Sequence, residues 1–553
     1  MPDSEFQITS YSNNITDQVC PPTVLRQLPF WALLCVGLAF KIILIMSRRV
    51  TFGSDEAVIG LMAGHILQGA HPIFYYGQSY MGSLDAYLTA VSFSIMGSNV
   101  AAIRVVQTAL YLATLATTYA LAYRITKSQF AAAASALLLA TPPVLFSVYT
   151  TSTLGNYVEI LLLNNIIWII GFELLTGSRD SFGWWFTMGL LGGVGWWSLQ
   201  LIIVSVIPLI GAIIWRFRRA IPIVGASAFL IGGLIGASAW WIYALTHIDT
   251  FGFLLHGPGS TSTSVLSALP LHLLVLVVFN LPALIGLRPS WAIEWILLPV
   301  GVVVAGLYTA SIYSIVRRLR SSGIMVDQRL MLLTLLSGVG LLIIVFLVSP
   351  FGEDPSGRYL LPLYPICAVV MGIWLERIHR SRPRLEVLSL ILLGVITFYN
   401  LWGNIWYLSH GPGLTTQFSP VTHIPNEHDS ELIDFLDSIH ATRGYSNYWV
   451  TFRIAFLTDE RILLSPRLPY KEDLSYSSGD DRYPAYTSEV RKADRVVYVT
   501  SNLEPLNVLL RRQFKMNKVD FQEKQIGPYT VFYDLSIPLS PEDLSVIPRF
   551  SSN

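Results

Sequence analysis

Asp55 and Glu56 stand side by side in "TFGSDEAVIGLMAGHILQG", almost directly after the first long apolar run of the chain. Ionised groups at a membrane boundary are costly unless water, a partner or a reaction accounts for them. One account is structural: acids in the first turn of a helix offset its macrodipole, each worth about 0.3–1 kcal/mol. Asp85, opening a second apolar stretch, has the same explanation. The other account is chemical. A carboxylate within hydrogen-bond reach of a hydroxyl accepts its proton as the oxygen attacks, which is worth about 10²–10⁴-fold. The acid pair, the aromatic turn with Tyr76, Gln78 and Tyr80, and Asp85 all fall in one loop where a headgroup-bearing substrate would lie, and this accumulation favours chemistry. Tyr76, Gln78, Tyr80 and Asp85 are therefore candidate substrate contacts.

Composition fixes what must position these residues. Of 553 residues 53% are hydrophobic and 13% charged, the mean hydropathy is +0.54, and the apolar residues come in runs rather than stripes. This is the signature of a polytopic membrane protein. A net charge of +1 advertises neither nucleic acid nor a polybasic lipid-binding surface. Cys20, Cys35 and Cys367 are too far apart for a disulfide framework or a cysteine metal cluster. His65, His71, His247 and His256 show no zinc spacing, so no metal ligands are assigned and no cofactor is required, although Glu353 and Asp354 offer a place for a divalent ion.

Apolar runs predict spans near 29–47, 99–123, 129–147, 156–175, 183–198, 200–215, 221–245, 292–316, 329–349, 359–375 and 385–407. That makes eleven, with 271–287 as an uncertain twelfth, broken by Asn280 and Pro282. Basic connectors at 124–127, 216–219, 317–320 and 376–384 belong on the cytoplasmic side. Keeping them together makes 271–287 interfacial or re-entrant and accepts Arg48-Arg49 as one violation. The polar tail 1–28 is then cytoplasmic and the first span an uncleaved anchor. A domain at 29–409 carries the spans, and its loop 48–98 is external. Within that loop, a helix after an N-capping Ser54 turns Val58, Ile59, Met62 and Ile66 to the membrane, and a second helix runs between Gly82 and Gly97, so both lie on the outer membrane surface.

Beyond 410 the pattern changes. "ELIDFLDSIHATRG" and "LEPLNVLLRRQF" read as amphipathic helices, "ADRVVYVTS" as a buried strand, and "DFQEKQIGPYTVFYDL" as a hairpin about Gly527-Pro528. Residues 410–553 are thus expected to form a small extracytoplasmic α/β domain.

The stretches "FGSDEAVIGLMAGHILQGAHPIFYYGQSYMGSLDAYLTA", "AAIRVVQTALYLATLATTYALAYRI" and "EDPSGRYLLPLYP" together resemble the GT-C glycosyltransferase superfamily. More narrowly they are similar to its family 39 branch, which holds protein mannosyltransferases and aminoarabinose-type transferases. The resemblance implies a mainly α, GT-C-like bundle of 11–12 spans in the cell membrane. It implies a multi-pass enzyme that takes a sugar from a polyprenyl-phosphate carrier and passes it, with inversion, to a lipid, glycan or protein hydroxyl. Asp55 matches the family's proposed base and Glu56 the adjacent acid of the mannosyltransferase branch. A leaving lipid phosphate needs fixed positive charge, for which Arg358 beside Tyr359, and Arg104, are the candidates. Arg358 also has a structural reading, an interfacial pair with Glu353 or Asp354. "YSNYWVTFRIAFLTDERILLSP" is similar to a segment of bacterial members, with no implied catalytic role. The rival to an enzyme is a transporter or flippase of lipid-linked glycans, which should carry charges at mid-span; here they gather in loops.

Overall fold

The computed structural model describes residues 23–546 apart from 179–180, 219–221, 248–264, 322, 412, 418 and 420. Most of the expected tail 1–28 therefore lies outside the described residues. The chain enters on α1 (Thr23–Met46), and α2 (Ser54–Leu67) follows a short extended segment. A hairpin of β1 (Phe74–Tyr75) and β2 (Gln78–Gly82) leads into α3 (Leu84–Met96). The bundle continues through α4 (Val100–Thr126), α5 (Gln129–Ala140), α6 (Val144–Tyr149), α7 (Tyr157–Leu175) and α8 (Phe182–Ser198). After it come α9 (Ile203–Phe217), α10 (Ile223–Gly236), α11 (Ser238–Thr246) and α12, which starts at Val265 and passes through a π-helical turn at Val275–Asn280 to Leu284. The last long helices are α13 (Leu298–Leu319), α14 (Val326–Val348), α15 (Leu363–His379) and α16 (Pro383–Ser409).

Among the described residues eight helices are long and apolar enough to cross a membrane, or nine if α10 and α11, bent by 63°, form one span. The expected eleven or twelve are reached only by counting α5, α8 and α15, of 12, 17 and 17 residues. Apolar length overstated α5, because Pro142-Pro143 ends it early. The stretch 271–287, expected to be interfacial or re-entrant, lies largely in Ser267–Leu284, which by length and composition is a candidate span. Its π turn absorbs the break near Pro282, and the Asn280 Nδ2 finds the Asp354 carbonyl at 3.0 Å.

Small residues let two helices touch backbone to backbone. A Cβ added at Gly189 on α8 would sit 2.0 Å from the Phe229 carbonyl oxygen, and one at Gly236 on α10 would sit 2.2 Å from that of Leu190. Across α4 and α7, the Asn165 amide donates to the Thr118 hydroxyl at 2.8 Å and the Thr114 carbonyl at 3.2 Å.

The C-terminal region is built on a five-stranded sheet. In chain order it comprises α17 (Asp429–Ser438), β3 (Arg443–Tyr445), α18 (Tyr448–Leu457), β4 (Leu463–Ser465) and α19 (Pro484–Arg491). Then come β5 (Val497–Ser501), α20 (Glu504–Met516), β6 (Gln522–Ile526) and β7 (Tyr529–Tyr533). The strands lie in the order β4-β3-β5-β7-β6, with parallel pairing among β4, β3 and β5 and antiparallel pairing from β5 to β6. Alternation splits the core: Val497, Val499 and Val531 pack with α17 and α18, whereas Tyr498 and Phe532 pack with Leu510 and Phe514 of α20.

The segment before α2 is stitched to this region. Val50 bridges Leu414, the Phe52 backbone amide donates to the Asn426 side-chain Oδ1 at 2.8 Å, and the Ser54 hydroxyl donates to the Tyr448 backbone carbonyl at 2.6 Å. Ser54 therefore lies inside α2 and does not cap it; Gly53 is the capping residue. The expected surface helix is in fact enclosed. Val58, Ile59 and Met62 are buried, because α3 covers one side of α2 and α18 another. Gly60 allows the second approach, since a Cβ there would meet the Phe456 ring at 2.4 Å.

Candidate functional site

The neighbouring acids at the start of α2 point to different surroundings, as residues about 100° apart on a helix must. Glu56 faces inward. Its carboxylate accepts from the Arg104 Nε at 3.1 Å and Nη2 at 3.2 Å, and both side chains are buried. A second Arg104 Nη2 bond holds the Val50 carbonyl at 3.1 Å. Burial lifts the Glu56 carboxyl above its ordinary range, and the arginine opposes that rise.

Asp85 is enclosed as well. Its carboxylate accepts from the Thr153 hydroxyl and, at 2.9 Å, from the Gln107 amide, while its own backbone N–H donates to the Asn156 side-chain carbonyl at 3.0 Å. Burial pushes its carboxyl up to about 6. Lys41, which the sequence reading passed over, lies inside α1 and anchors the same loop, with Nζ on the Thr150 and Thr151 hydroxyls at 2.6 and 2.7 Å. A lone cation in the middle of an apolar run was the available signal.

Asp55 faces the other way and is half-buried. The Tyr448 hydroxyl donates to its Oδ1, and the Tyr75 hydroxyl donates to its backbone carbonyl at 3.3 Å. The groups that the chain places within electrostatic reach of it include Arg482, Asp480 and Tyr80. Burial pushes the Asp480 carboxyl up to about 6. Arg482 lies over the Tyr448 ring, 5.5 Å from its centroid. With its amide oriented to satisfy both groups, Gln78 accepts from both terminal nitrogens of Arg482 at 2.7 and 2.8 Å. The hairpin turn is shaped for this partner. Gly77 has φ +70°, and a Cβ there would lie 3.0 Å from the Arg482 Cα.

Arg358 forms the far side of the cluster. It pairs with Asp354 at 2.6 Å, contacts the Tyr359 hydroxyl at 3.3 Å and has its guanidinium 5.0 Å from the Tyr359 ring centroid. Tyr80 and Tyr149 each lie within electrostatic reach of Asp55 and also of the Asp354–Arg358 pair. Tyr76 is turned away from Asp55 into a clasp. Its hydroxyl meets the His65 Nδ1 at 2.8 Å, its ring stacks on Tyr483 at 4.8 Å, and the His65 Nε2 reaches Glu460 at 3.0 Å.

The structure thus brings together Asp55, Gln78, Tyr80, Arg358 and Tyr359 from the sequence-derived set. Arg104 is committed to Glu56, and Asp85 and Tyr76 to interior or clasp partners. In the structure these three are engaged within the protein, Asp85 and Arg104 through buried bonds and Tyr76 against Tyr483, away from the groups gathered around Asp55. Sequence reasoning missed Tyr448 and Arg482, which lie nearly four hundred residues or more beyond Asp55, for example 393 for Tyr448. Among the described residues no group of three or more His, Cys, Asp or Glu is gathered as a metal site.

Residues 83–243 match the family model described as dolichyl-phosphate-mannose-protein mannosyltransferase. That match starts beyond Asp55 and Glu56. Among solved structures the chain is similar to ArnT from Cupriavidus metallidurans bound to undecaprenyl phosphate, with 12% identity, a TM-score of 0.58, and coverage of 94% of this chain and 100% of that one. The apo state of the same protein gives 12% identity, a TM-score of 0.56 and coverage of 92% and 97%. The oligosaccharyltransferase of Archaeoglobus fulgidus in complex with Zn and sulfate gives 13%, 0.50, and coverage of 85% and 68%. No curated protein matches the chain. At these identities the structural likeness is one of fold. The family match over residues 83–243, the many apolar helices and the ArnT-like fold together support a multi-pass membrane glycosyltransferase.

Proposed function

We propose that the protein transfers a sugar from a polyprenyl-phosphate carrier to a hydroxyl acceptor outside the cytoplasm, with Asp55 as general base. The observation that supports this most is the contrast at the head of α2: Glu56 is closed off by Arg104, whereas Asp55 is half-buried and faces a cluster that contains two arginines and several tyrosines. The acceptor oxygen attacks the anomeric carbon, its proton passes to the Asp55 carboxylate, and the bond from that carbon to the lipid phosphate oxygen breaks. Direct displacement of this kind inverts the anomeric centre. Charge growing on the leaving phosphate requires a fixed cation, and Arg358, whose Nε–H is buried without a partner, is assigned that part with Tyr359 beside it. Tyr448 orients Asp55. Glu56 and Arg104 are assigned to positioning.

The basic connectors support a cytoplasmic N-terminus, one span before Asp55, and the stitch between Val50–Ser54 and the C-terminal region supports residues 410–553 lying on the same, outer side as an α/β domain of the cell membrane protein. ArnT was solved with undecaprenyl phosphate, which supports a polyprenyl carrier. The test uses purified protein, radiolabelled polyprenyl-phosphate sugars and a panel of lipid, glycan and protein acceptors. Wild type should transfer label and Asp55→Asn should not. Undiminished transfer by that variant removes the assignment, and lipid translocation without transfer replaces the enzyme with a flippase.

A further inference from the structure

We propose that Arg482, supplied by the C-terminal region, recognises an anionic group, phosphate or carboxylate, on a substrate of the Asp55 site. The inference rests on the transferase reading above and deepens it. Arg358 and Arg104 each have a carboxylate partner, at 2.6 Å and 3.1 Å. Arg482 has none within 4.0 Å among the described residues; its partners are the neutral Gln78 amide, the Gly77 carbonyl at 3.4 Å and the Tyr448 ring. Its Nε–H is buried with no acceptor among the described residues. A guanidinium has five donors in a rigid fork suited to a two-oxygen anion. Taking such a cation out of water without a counter-charge is unfavourable, and an incoming anion in a site of low polarity gains accordingly.

The surroundings hold the fork rather than neutralise it. Gln78 fixes both terminal nitrogens, and the Gly77 turn gives way to the Arg482 backbone. Asp55 and Asp480 lie within electrostatic reach without forming an ion pair. An anion bound at Arg482 would therefore rest beside the base that receives the acceptor proton. Two substrates could bring it: the lipid phosphate of the donor, or an acidic group on the acceptor.

The experiment uses the full-length protein in detergent. Thermal stabilisation is titrated with undecaprenyl phosphate and, as a control, neutral undecaprenol, for wild type, Arg482→Lys, Arg482→Gln and Gln78→Glu. Acceptor KM is measured in parallel on acidic and neutral acceptors. Gln78→Glu keeps the shape of the turn but supplies an internal carboxylate, so it should mimic Arg482→Gln by competing for the guanidinium. If the anion is the donor phosphate, both variants weaken the phosphate titration at least tenfold, Arg482→Lys weakens it less, and undecaprenol is unaffected. If it belongs to the acceptor, the phosphate titration holds and KM rises at least tenfold for acidic acceptors alone. Phosphate binding and acidic-acceptor KM both within twofold of wild type in Arg482→Gln and Gln78→Glu overturn the proposal while leaving the transferase reading intact. A wild type that neither binds the lipid phosphate nor transfers sugar overturns both.

Discussion

Two regions diverge from adjacent residues at the head of α2. On the Glu56 side Glu56, Asp85 and Lys41 each have bonded partners: Arg104 on Glu56, Thr153 and Gln107 on Asp85, Thr150 and Thr151 on Lys41. On the Asp55 side Asp55, Arg482 and Arg358 are half-buried, and among the described residues Arg482 and Arg358 each keep a buried Nε–H without a partner. The difference teaches how to separate scaffold from site in a helical membrane protein. Both regions contain acids and cations in low-polarity surroundings, so residue type does not distinguish them. The bonding of the arginines does: Arg104 has its Nε and Nη2 engaged by Glu56, whereas among the described residues Arg482 and Arg358 keep Nε bonding capacity for a ligand.

The contrast can be broken by exchanging the consequences of paired substitutions. Asp55→Asn should lower transfer by about 10²–10⁴-fold, the range of general-base assistance, with thermal unfolding unchanged, because the amide oxygen still accepts from Tyr448. Equal losses in activity and stability would erase the distinction. The opposite outcome belongs to Arg104→Met. It strands a buried carboxylate, and breaking such a pair costs about 3–5 kcal/mol, to be read from denaturant unfolding in detergent.

Asp85 sharpens the comparison through pH. Its carboxyl, raised to about 6 by burial, holds a proton more tightly in the folded chain than in the unfolded one. The favourable contribution is therefore complete below the unfolded value of about 4 and is lost as pH rises through about 6. Relative to wild type, Asp85→Asn should gain up to about 3 kcal/mol between pH 4 and pH 7, at 1.36 kcal/mol per unit. Parallel unfolding curves at the two pH values, with a constant offset, would show that Asp85 carries no such burden. The smallest effect is expected at the clasp. His65→Phe removes the hydrogen bonds to Tyr76 and Glu460 but keeps the ring contact with Tyr483, so a loss of about 1 kcal/mol should follow.

Much of the scaffold was legible in the sequence because it depends on local pattern. Apolar runs found the long helices, and the buried run in "ADRVVYVTS" and the Gly527 turn found strands β5 to β7. Span counting fared less well where length alone misled, as at the prolines after α5 and the π turn of α12. Asp55 stood out by its position after the first span. The surroundings of α2 did not, because burial by α18 depends on a partner some four hundred residues away, and nothing in "DEAVIGLMAGHILQG" reports whether lipid or protein covers its apolar side. Tyr448 and Arg482 escaped for the same reason. Tyrosines and arginines are ordinary in an α/β region, and only the stitch between Val50–Ser54 and the C-terminal region turns these two toward Asp55.

That stitch has a consequence for biogenesis. Ser54 emerges from the ribosome 394 residues before the carbonyl that will accept its hydroxyl proton. A partly translated chain can therefore contain the acid, and even the whole helical bundle, while lacking Tyr448 to aim it. With Tyr448 aiming the base as proposed, competence would arrive only with the final quarter of the polypeptide, and a truncated product left in the bilayer would be inert rather than a promiscuous consumer of the sugar donor.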